Sequence, residues 1–416
     1  MDMADVQIIK QHLIDPEICI RCNTCEATCP VGAITHDTRN YVVDAQKCNL
    51  CMACVSPCPT GSIDNWRDVP LLKAYSIEEQ LGWDSLPEER PGVPATDANG
   101  VPDAESSATP AAATAPAGAR GSVVPPWSAA HPYTNLYGPK SERKSVRATV
   151  VGNARVTDAG HDYDTHHIVL DFGTEPFPVL EGQSIGVVPP GTDATGRAHH
   201  ARQYSIASAR SGERPGYNNL SLTIKRVLED RSGQPIRGIA SNYMCDLKVG
   251  DSVEVVGPFG ATFLMPNDQR SNIVMICTGT GSAPMRAMTE WLRRQRKSGV
   301  PHAGKLMLFF GARSQEELPY FGPLKNLPKD FIDINLAYSR AAGKPKQYVQ
   351  DLMRERSADL ASLLAVPHTY FYVCGLKSME EGVLLALQDI ATRSGMDWDR
   401  IATALRQEGR LHLETY

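Results

Sequence analysis

The 416-residue sequence has no window of 18 uninterrupted apolar residues, so no helical membrane span is expected. Its opening, MDMADVQIIKQHLIDPEICIRC, lacks the basic start, long apolar centre and small-residue cleavage site of a secretory leader. The expected address is therefore cytoplasmic, where disulfides are rare. Cysteine is scarce over most of the chain: beyond residue 58 only Cys245, Cys277 and Cys374 occur. Aromatic residues, Leu, Ile and Met are all missing from 95–126, and such a stretch cannot bury enough apolar surface to offset its ordering entropy. It reads as an Ala/Pro-rich linker, with a reach of roughly 30 Å r.m.s..

The other eight cysteines fall within 19–58, a density that points to metal or redox chemistry. ICIRCNTCEATCPVGAIT at 18–35 maps onto KCNLCMACVSPCPTGSID at 47–64 with an offset of 29, which makes the module an internal repeat. Each copy carries C-x2-C-x2-C-x3-C-P. At this spacing three thiolates wrap one iron–sulfur cube and the fourth reaches across to the other. Cys19, Cys22, Cys25 and Cys58 are thus expected to hold one 4Fe–4S cluster, and Cys48, Cys51, Cys54 and Cys29 a second. A zinc site is the alternative, but zinc takes its four ligands as two separated pairs and has no need of the following prolines. The net charge of −5 divides unevenly: residues 1–130 carry 8 Lys and Arg against 17 Asp and Glu, and the remainder 34 against 30. An acidic module and a mildly basic body are what two docking partners would carry.

From about 145 to 265, short β-branched runs separated by Gly, Pro and Asp predict six strands of an antiparallel barrel. After 270, alternating strands and helices predict a parallel doubly wound sheet. The expected fold class is an α+β multidomain chain: a two-cluster ferredoxin module at 1–80, a linker at 81–140, a barrel at 141–268 and an α/β domain at 269–416. Arg202-Gln203-Tyr204-Ser205 ends a barrel strand, where an aromatic ring can stack on a flavin, an Arg can neutralise phosphates and a hydroxyl can bond near the reactive ring edge. Gly279-Thr280-Gly281 follows an apolar strand and opens a helix, a place where backbone amides suit a pyrophosphate. His166-His167 and His199-His200 form no ligand pattern and read as strand and loop residues; Cys245 and Cys277 read as core.

With these signals in order, the segment GIASNYMCDLKVGDSVEVVGPFGATFLMP (238–266), Ser339-Arg340, Lys346-Gln347-Tyr348, Cys374-Gly375-Leu376-Lys377 and Glu414-Thr415-Tyr416 resemble the plant-type ferredoxin–NADP reductases. The resemblance covers about 145–416 and implies an FAD-binding barrel followed by an NADP-binding domain. It implies that Arg202, Tyr204, Ser205, Lys225, Ala240 and Ser241 hold FAD, and that Gly279, Thr280 and Gly281 meet the nicotinamide and its pyrophosphate. Ser339, Arg340, Lys346 and Tyr348 would take the 2′-phosphate of NADPH, in place of the acid that an NAD site offers the ribose. Ser205, Cys374, Glu414 and Tyr416 would be the catalytic set. The plant-type enzymes use a separate 2Fe–2S ferredoxin, so the fusion is a departure. The order of cluster module, Ala/Pro linker and reductase body, with IIKQHLIDPEICIRCNTCEATCPVGAIT, resembles the benzoyl-CoA oxygenase component A family, the reductases of the benzoyl-CoA 2,3-epoxidase system. That resemblance implies electron delivery to a di-iron oxygenase acting on benzoyl-CoA. A general NADPH–ferredoxin reductase and a non-enzymatic cluster carrier are the alternatives; no membrane or nucleic-acid partner is expected.

Overall fold

The computed structural model describes residues 8–88, 129–230 and 232–416. The expected linker stretch 95–126 lies outside the described residues. The described chain divides into two compact units, one built from 8–88 with the short stretch 322–327, the other from 129–321 and 328–416. No helix among the described residues is long and apolar enough to cross a membrane.

In the first unit, strands β1 (Ile8–Leu13), β2 (Ile34–His36), β3 (Tyr41–Val43) and β4 (Asn65–Pro70) form two antiparallel pairs, β1 with β4 and β2 with β3. Helices α1 (Thr24–Thr28) and α2 (Ile77–Leu81) are single turns. Ile34 and Ile63 are partners in the sequence repeat, and both are buried in one core with Ile14, Tyr41, Val43, Cys19, Cys25, Cys54 and Cys58. Trp83 and Leu86 pack against Leu13, Val69 and Tyr75. Asn40 Nδ2 donates to the carbonyls of Leu81 at 3.1 Å and Trp83 at 2.7 Å, which satisfies the end of α2. The unit therefore continues past residue 80. At the other side, Tyr137 is 2% exposed and belongs to the barrel core. The expected linker bounds of 81–140 were too wide at both ends because single large apolar side chains anchor otherwise polar sequence.

The barrel is built from β5 (Val146–Arg155), β6 (Thr165–Asp171), β7 (Ser184–Val188), β8 (Arg202–Ser205), β9 (Asn219–Lys225) and β10 (Ser252–Phe259), with helix α3 (Ile239–Asp246) before the last strand. The order is β8-β7-β10-β5-β6-β9, every neighbouring pair antiparallel. A bridge between Ile206 and Leu222 joins the two edges, reinforced by Ala207 N–H donating to Ser221 O at 2.8 Å. All six expected strands are present; α3 was not foreseen.

The α/β part runs β11 (Asn272–Thr278), α4 (Ser282–Lys297), β12 (Leu306–Ala312), α5 (Phe321–Asn326), β13 (Asp333–Tyr338), α6 (Val349–Glu355), α7 (Ser357–Leu364), β14 (Thr369–Gly375), α8 (Lys377–Arg393), α9 (Trp398–Gln407) and β15 (Leu411–Thr415). All of α5 after its first residue belongs to the first unit. The sheet is wholly parallel, in the order β13-β12-β11-β14-β15. Burial on both faces explains why β11 reads as the unbroken apolar run NIVMICT. Strand order reverses between β11 and β14, which opens the crevice where ligands bind in such sheets.

Barrel and sheet are joined within the second unit by a buried polar cluster. Arg286 of α4 donates through Nη1 to Ala207 O and Glu213 Oε2 and through Nη2 to Glu213 Oε1, each at 2.7 Å. Ser221 Oγ donates to the same carboxylate at 2.7 Å, and His167 lies 3.6 Å away. Two turns along α4, Arg294 donates to Gly212 O at 2.6 Å and Glu213 O at 2.7 Å. Burial alone would raise the Glu213 carboxyl, but the Arg286 guanidinium and His167 bring it well below the usual range.

Breaking a buried pair from one side leaves an uncompensated charge, at a cost of about 3–5 kcal/mol. Arg286→Leu should therefore lower the unfolding free energy of the second unit by that amount and its urea midpoint with it. The contribution of Glu213 is present above the ordinary carboxylate range and is lost as pH falls through its depressed folded-state value. The variant should lose this acid dependence, and an unchanged urea midpoint would remove Arg286 from the set of stabilising groups.

Candidate functional site

The first unit gathers the eight cysteines into two quartets. Cys19, Cys22, Cys25 and Cys58 line one recess, with Arg21, Thr60 and Ser62. Cys29, Cys48, Cys51 and Cys54 line another, with His12 and Asn49. These are the crossed sets expected from the spacing. Each quartet surrounds a cavity; among the described residues no three His, Cys, Asp or Glu side chains converge as a single-ion site would require.

The backbone at these loops is as specific as the thiols. Arg21 and Asn23 have φ of 59° and 61°, and their repeat partners Leu50 and Met52 have 57° and 62°. A left-handed conformation costs a non-glycine residue roughly 1–2 kcal/mol. Four such residues at matching positions persist only where the surroundings dictate them. They curl the backbone around the site. Burial pushes the Cys19 thiol up to about 12 and Cys54 to about 11, and raises Cys22 and Cys25 as well. Buried thiols so crowded would not ionise together without cationic partners, and iron of a cluster is such a partner. The residues present fit two cubanes.

In the second unit, the glycine turn at 279–281 follows β11 directly. A Cβ on Gly281 would lie 2.2 Å from Cys374 O, so only glycine lets this turn approach the end of β14. Parallel pairing sets Cys277 opposite Cys374, and Cys374 opposite Glu414. Burial raises the Cys374 thiol to about 12. Glu414 is hydrogen-bonded to Ser205, and burial lifts its carboxyl to about 7 despite that bond. Tyr416 is pinned through its backbone, its N–H to Gly375 O at 3.0 Å and its carbonyl to Lys377 N–H at 3.3 Å. Its hydroxyl meets Thr280 Oγ1 at 3.0 Å, and its ring is more than half exposed. The structure thus brings Ser205, Thr280, Cys374, Glu414 and Tyr416 to the switch point. Glu414 and Thr415 end strand β15, and Tyr416 follows it.

On the barrel, β7 sets Arg202 opposite Val187, Tyr204 opposite Ile185 and Ser205 opposite Ser184. Arg202 is exposed, with Nη1 donating to His200 O at 3.2 Å; Tyr204 packs partly against the barrel core. Ala240 and Ser241 lie in the first turn of α3, and Ser241 Oγ accepts from Val227 N–H at 3.2 Å. Lys225 Nζ stands 3.8 Å from Glu317 and over the Tyr163 ring. Arg313 lies over the same ring and hydrogen-bonds the Tyr163 hydroxyl.

Beyond β13 the chain turns back on itself. Arg340 N–H donates to Arg313 O at 2.6 Å, Ser339 N–H to Ala312 O at 3.1 Å, and Gln347 N–H to Tyr338 O at 3.0 Å. Lys346 Nζ sits 4.8 Å over the exposed Tyr348 ring. This loop presents Arg340 and Lys346 as cations with solvent access, and Arg313 joins it through its backbone. Sequence reasoning missed Arg313, Tyr163 and Glu317 because they lie far from any motif. It also missed the hydroxyls of Thr24, Thr60 and Ser62 around the first quartet. His167 is a strand residue as expected, yet it is fully buried and bonded to Tyr320 OH at 2.9 Å.

Residues 11–67 match the 4Fe-4S dicluster domain family, and residues 275–384 match the oxidoreductase NAD-binding domain family. The chain is 37% identical over 271 residues to the cyanelle ferredoxin–NADP reductase of Cyanophora paradoxa, covering 64% of this chain and 74% of that one. It is 33% identical to the ferredoxin–NADP reductase of Spirulina sp over 68% of this chain and 98% of the relative. It is 36% identical to leaf isozyme 2 of Oryza sativa subsp. japonica, over 68% and 78% respectively. The solved ferredoxin–NADP+ reductase of Plasmodium falciparum shares the fold, with a TM-score of 0.54, 24% identity and coverage of 68% of this chain and all of that one. The chain belongs to the ferredoxin–NADP reductase family and is an oxidoreductase, with an iron–sulfur domain of the dicluster type in the same polypeptide.

The Glu414 carboxyl should titrate near pH 7, protonated below and charged above. Its raised value means that the folded state holds the proton more tightly than the unfolded chain does. Stability from this group is therefore full below the ordinary carboxylate range and declines as pH rises through about 7. Carbon-13 NMR of glutamate-labelled protein should show one carboxyl with this midpoint, missing in Glu414→Gln. A midpoint near the ordinary 4.5 would place Glu414 in solvent.

Proposed function

We propose that this chain oxidises NADPH on FAD and passes the electrons singly, through two 4Fe–4S clusters, to a separate di-iron oxygenase that epoxidises benzoyl-CoA. The observation that carries the electron-transfer reading is the presence in one chain of two crossed cysteine quartets and of the Ser205–Thr280–Cys374–Glu414–Tyr416 grouping at the switch point. When bound, NADPH supplies a hydride, FAD separates the pair into single electrons and the clusters carry them one at a time.

The chain's own residues do the positioning. Arg202, Tyr204, Lys225, Ala240 and Ser241 hold FAD. Ser205 Oγ and the Glu414 carboxyl hold a proton beside the reacting ring edge; a carboxyl near 7 can take it up or return it at working pH. Gly279, Thr280 and Gly281 receive the nicotinamide and its pyrophosphate, and Cys374 limits how closely the ring approaches. Tyr416, held by Thr280 and backbone bonds, would cover the flavin with its exposed ring and yield that place to the nicotinamide. Ser339, Arg340, Lys346 and Tyr348 bind the 2′-phosphate, which gives NADPH the preference over NADH. A general NADPH–ferredoxin reductase is the second reading, favoured by the names of the relatives.

Loaded protein should contain about eight iron atoms and one FAD per chain. Zinc, or half that iron in a saturated sample, would remove the double-cluster assignment. Because Arg340 is exposed, Arg340→Leu should weaken NADPH use toward the lower end of the range for charge-assisted phosphate bonds, about tenfold in KM, and leave NADH use nearly unchanged. Equal loss with both would take the 2′-phosphate away from Arg340. The partner is tested by NADPH consumption with a benzoyl-CoA di-iron oxygenase: turnover should require both the oxygenase and benzoyl-CoA. Reduction of free ferredoxin at full rate, with no oxygenase coupling, would favour the second reading.

A further inference from the structure

The two quartets occupy matching positions of one repeat, but their surroundings do not match. At the offset of 29, Arg21 corresponds to Leu50, Thr24 to Ala53, Thr60 to Val31 and Ser62 to Ala33. All four polar members fall on the Cys19/Cys22/Cys25/Cys58 side. Thr24 Oγ1 lies 3.2 Å from Cys22 Sγ, Ser62 Oγ 3.4 Å from Cys58 Sγ, and Thr60 Oγ1 3.8 Å from Cys58 Sγ. The Ser62 hydroxyl also reaches Cys19. Sulfur bound to iron can only accept, so each hydroxyl must donate to it. Arg21 lines the same cavity and is held there by the carbonyls of Thr38 and Asp37.

Around Cys29/Cys48/Cys51/Cys54 the side-chain donors are fewer: Asn49, the repeat partner of Ile20, and His12 line this site. Ala33 N–H donates to Cys29 Sγ at 3.3 Å. His12 Nδ1 is 3.9 Å from Cys54 Sγ, and that ring already bonds the Ile63 backbone. The His12 ring is buried and stacked on Trp66.

Reduction adds negative charge to a cluster. Donors to its sulfurs, and a fixed cation beside it, stabilise the reduced form and raise its potential. Exposure acts the same way and favours the second quartet, since Cys51 is exposed whereas Cys19, Cys25 and Cys58 are buried. Three hydroxyls and a guanidinium in a buried site act at lower local dielectric than water at one ligand, and outweigh it. We propose that the cluster held by Cys19, Cys22, Cys25 and Cys58 has the higher potential of the two because Arg21, Thr24, Thr60 and Ser62 surround it, so that the first electron rests there. This inference rests on the two-cluster reading above.

The test is an EPR-monitored redox titration of the loaded full-length protein, with iron content measured alongside. The repeat supplies the variants. Thr24→Ala/Thr60→Val/Ser62→Ala gives the first site the residues of the second, and Arg21→Leu removes the cation. The unaltered protein should titrate in two separate one-electron steps. The triple variant should shift the higher step down toward the lower one and leave the lower step in place; Arg21→Leu should move it the same way. If the triple variant loses iron, the reverse change, Ala53→Thr/Ala33→Ser, decides: it should raise the lower step alone. Coincident steps in the unaltered protein, or steps unmoved by either set of changes, would overturn the inference while two clusters remain. Protein that binds about four iron atoms when saturated would overturn the two-cluster reading itself.

Discussion

A carboxylate sealed from water is tolerable only when its charge is met on all sides, and Glu213 is met by Arg286, Ser221 and His167. That constraint ties the loop after β8 to the first turns of α4. Ser205 stands at one end of the loop, and the glycine turn stands at the start of the helix. Fixing Glu213 against Arg286 therefore fixes where the barrel's hydroxyl sits relative to Thr280, Cys374 and Glu414. Arg294 repeats the clamp two turns further along the same helix face, donating to Gly212 and Glu213 carbonyls. Two anchor points on one helix set an angle as well as a distance. On the proposed function, hydride transfer demands such a fixed geometry, because the donor and acceptor atoms belong to groups held by different halves of the unit.

The parts of this arrangement that were legible in the sequence are local in chain position. NIVMICT followed by Gly279-Thr280-Gly281 announces a buried strand, a tight turn and a helix within a dozen residues. The cysteine motif announces its own crossing through an offset of 29. By contrast, Arg286 and Glu213 are separated by 73 positions, and nothing near either one marks the other. The same holds for Lys225, Tyr163 and Arg313, which converge from β9, the turn before β6 and the end of β12. Helix α3 went unrecognised because GIASNYMCDLK begins without an N-cap side chain and carries only two turns of pattern. Strand β15 was hidden by His412 and Glu414, polar residues tolerated because the strand lies at the sheet edge.

The linker bounds show the opposite error, in which composition spoke too broadly. A stretch poor in apolar residues reads as uniformly unstructured, but one ring can anchor it. Trp83 sits edge-on to Tyr75, and Tyr137 stacks with Phe177 inside the barrel. Burying one aromatic side chain contributes about 1.5–3 kcal/mol, enough to order a few neighbours. The described ends of the two units are therefore held by single large side chains, which the average of a segment does not reveal.

The repeat carries one more consequence for how an electron carrier of this kind is built. Duplicating a cysteine loop produces two sites with the same backbone, and the matching positive φ values at Arg21/Leu50 and Asn23/Met52 show that the backbone has stayed the same. Two identical sites would share an added electron equally and give it no preferred direction. Differences must then come from side chains that do not disturb the loop, and several of the positions where the copies diverge are of this kind. Thr24 and Ala53 differ by a hydroxyl and a methyl, and Ser62 and Ala33 by a single hydroxyl, small enough to leave the thiol geometry intact. The fold thus separates two tasks. On the two-cluster reading, backbone and cysteines fix where the clusters sit, and a few small polar side chains decide between them.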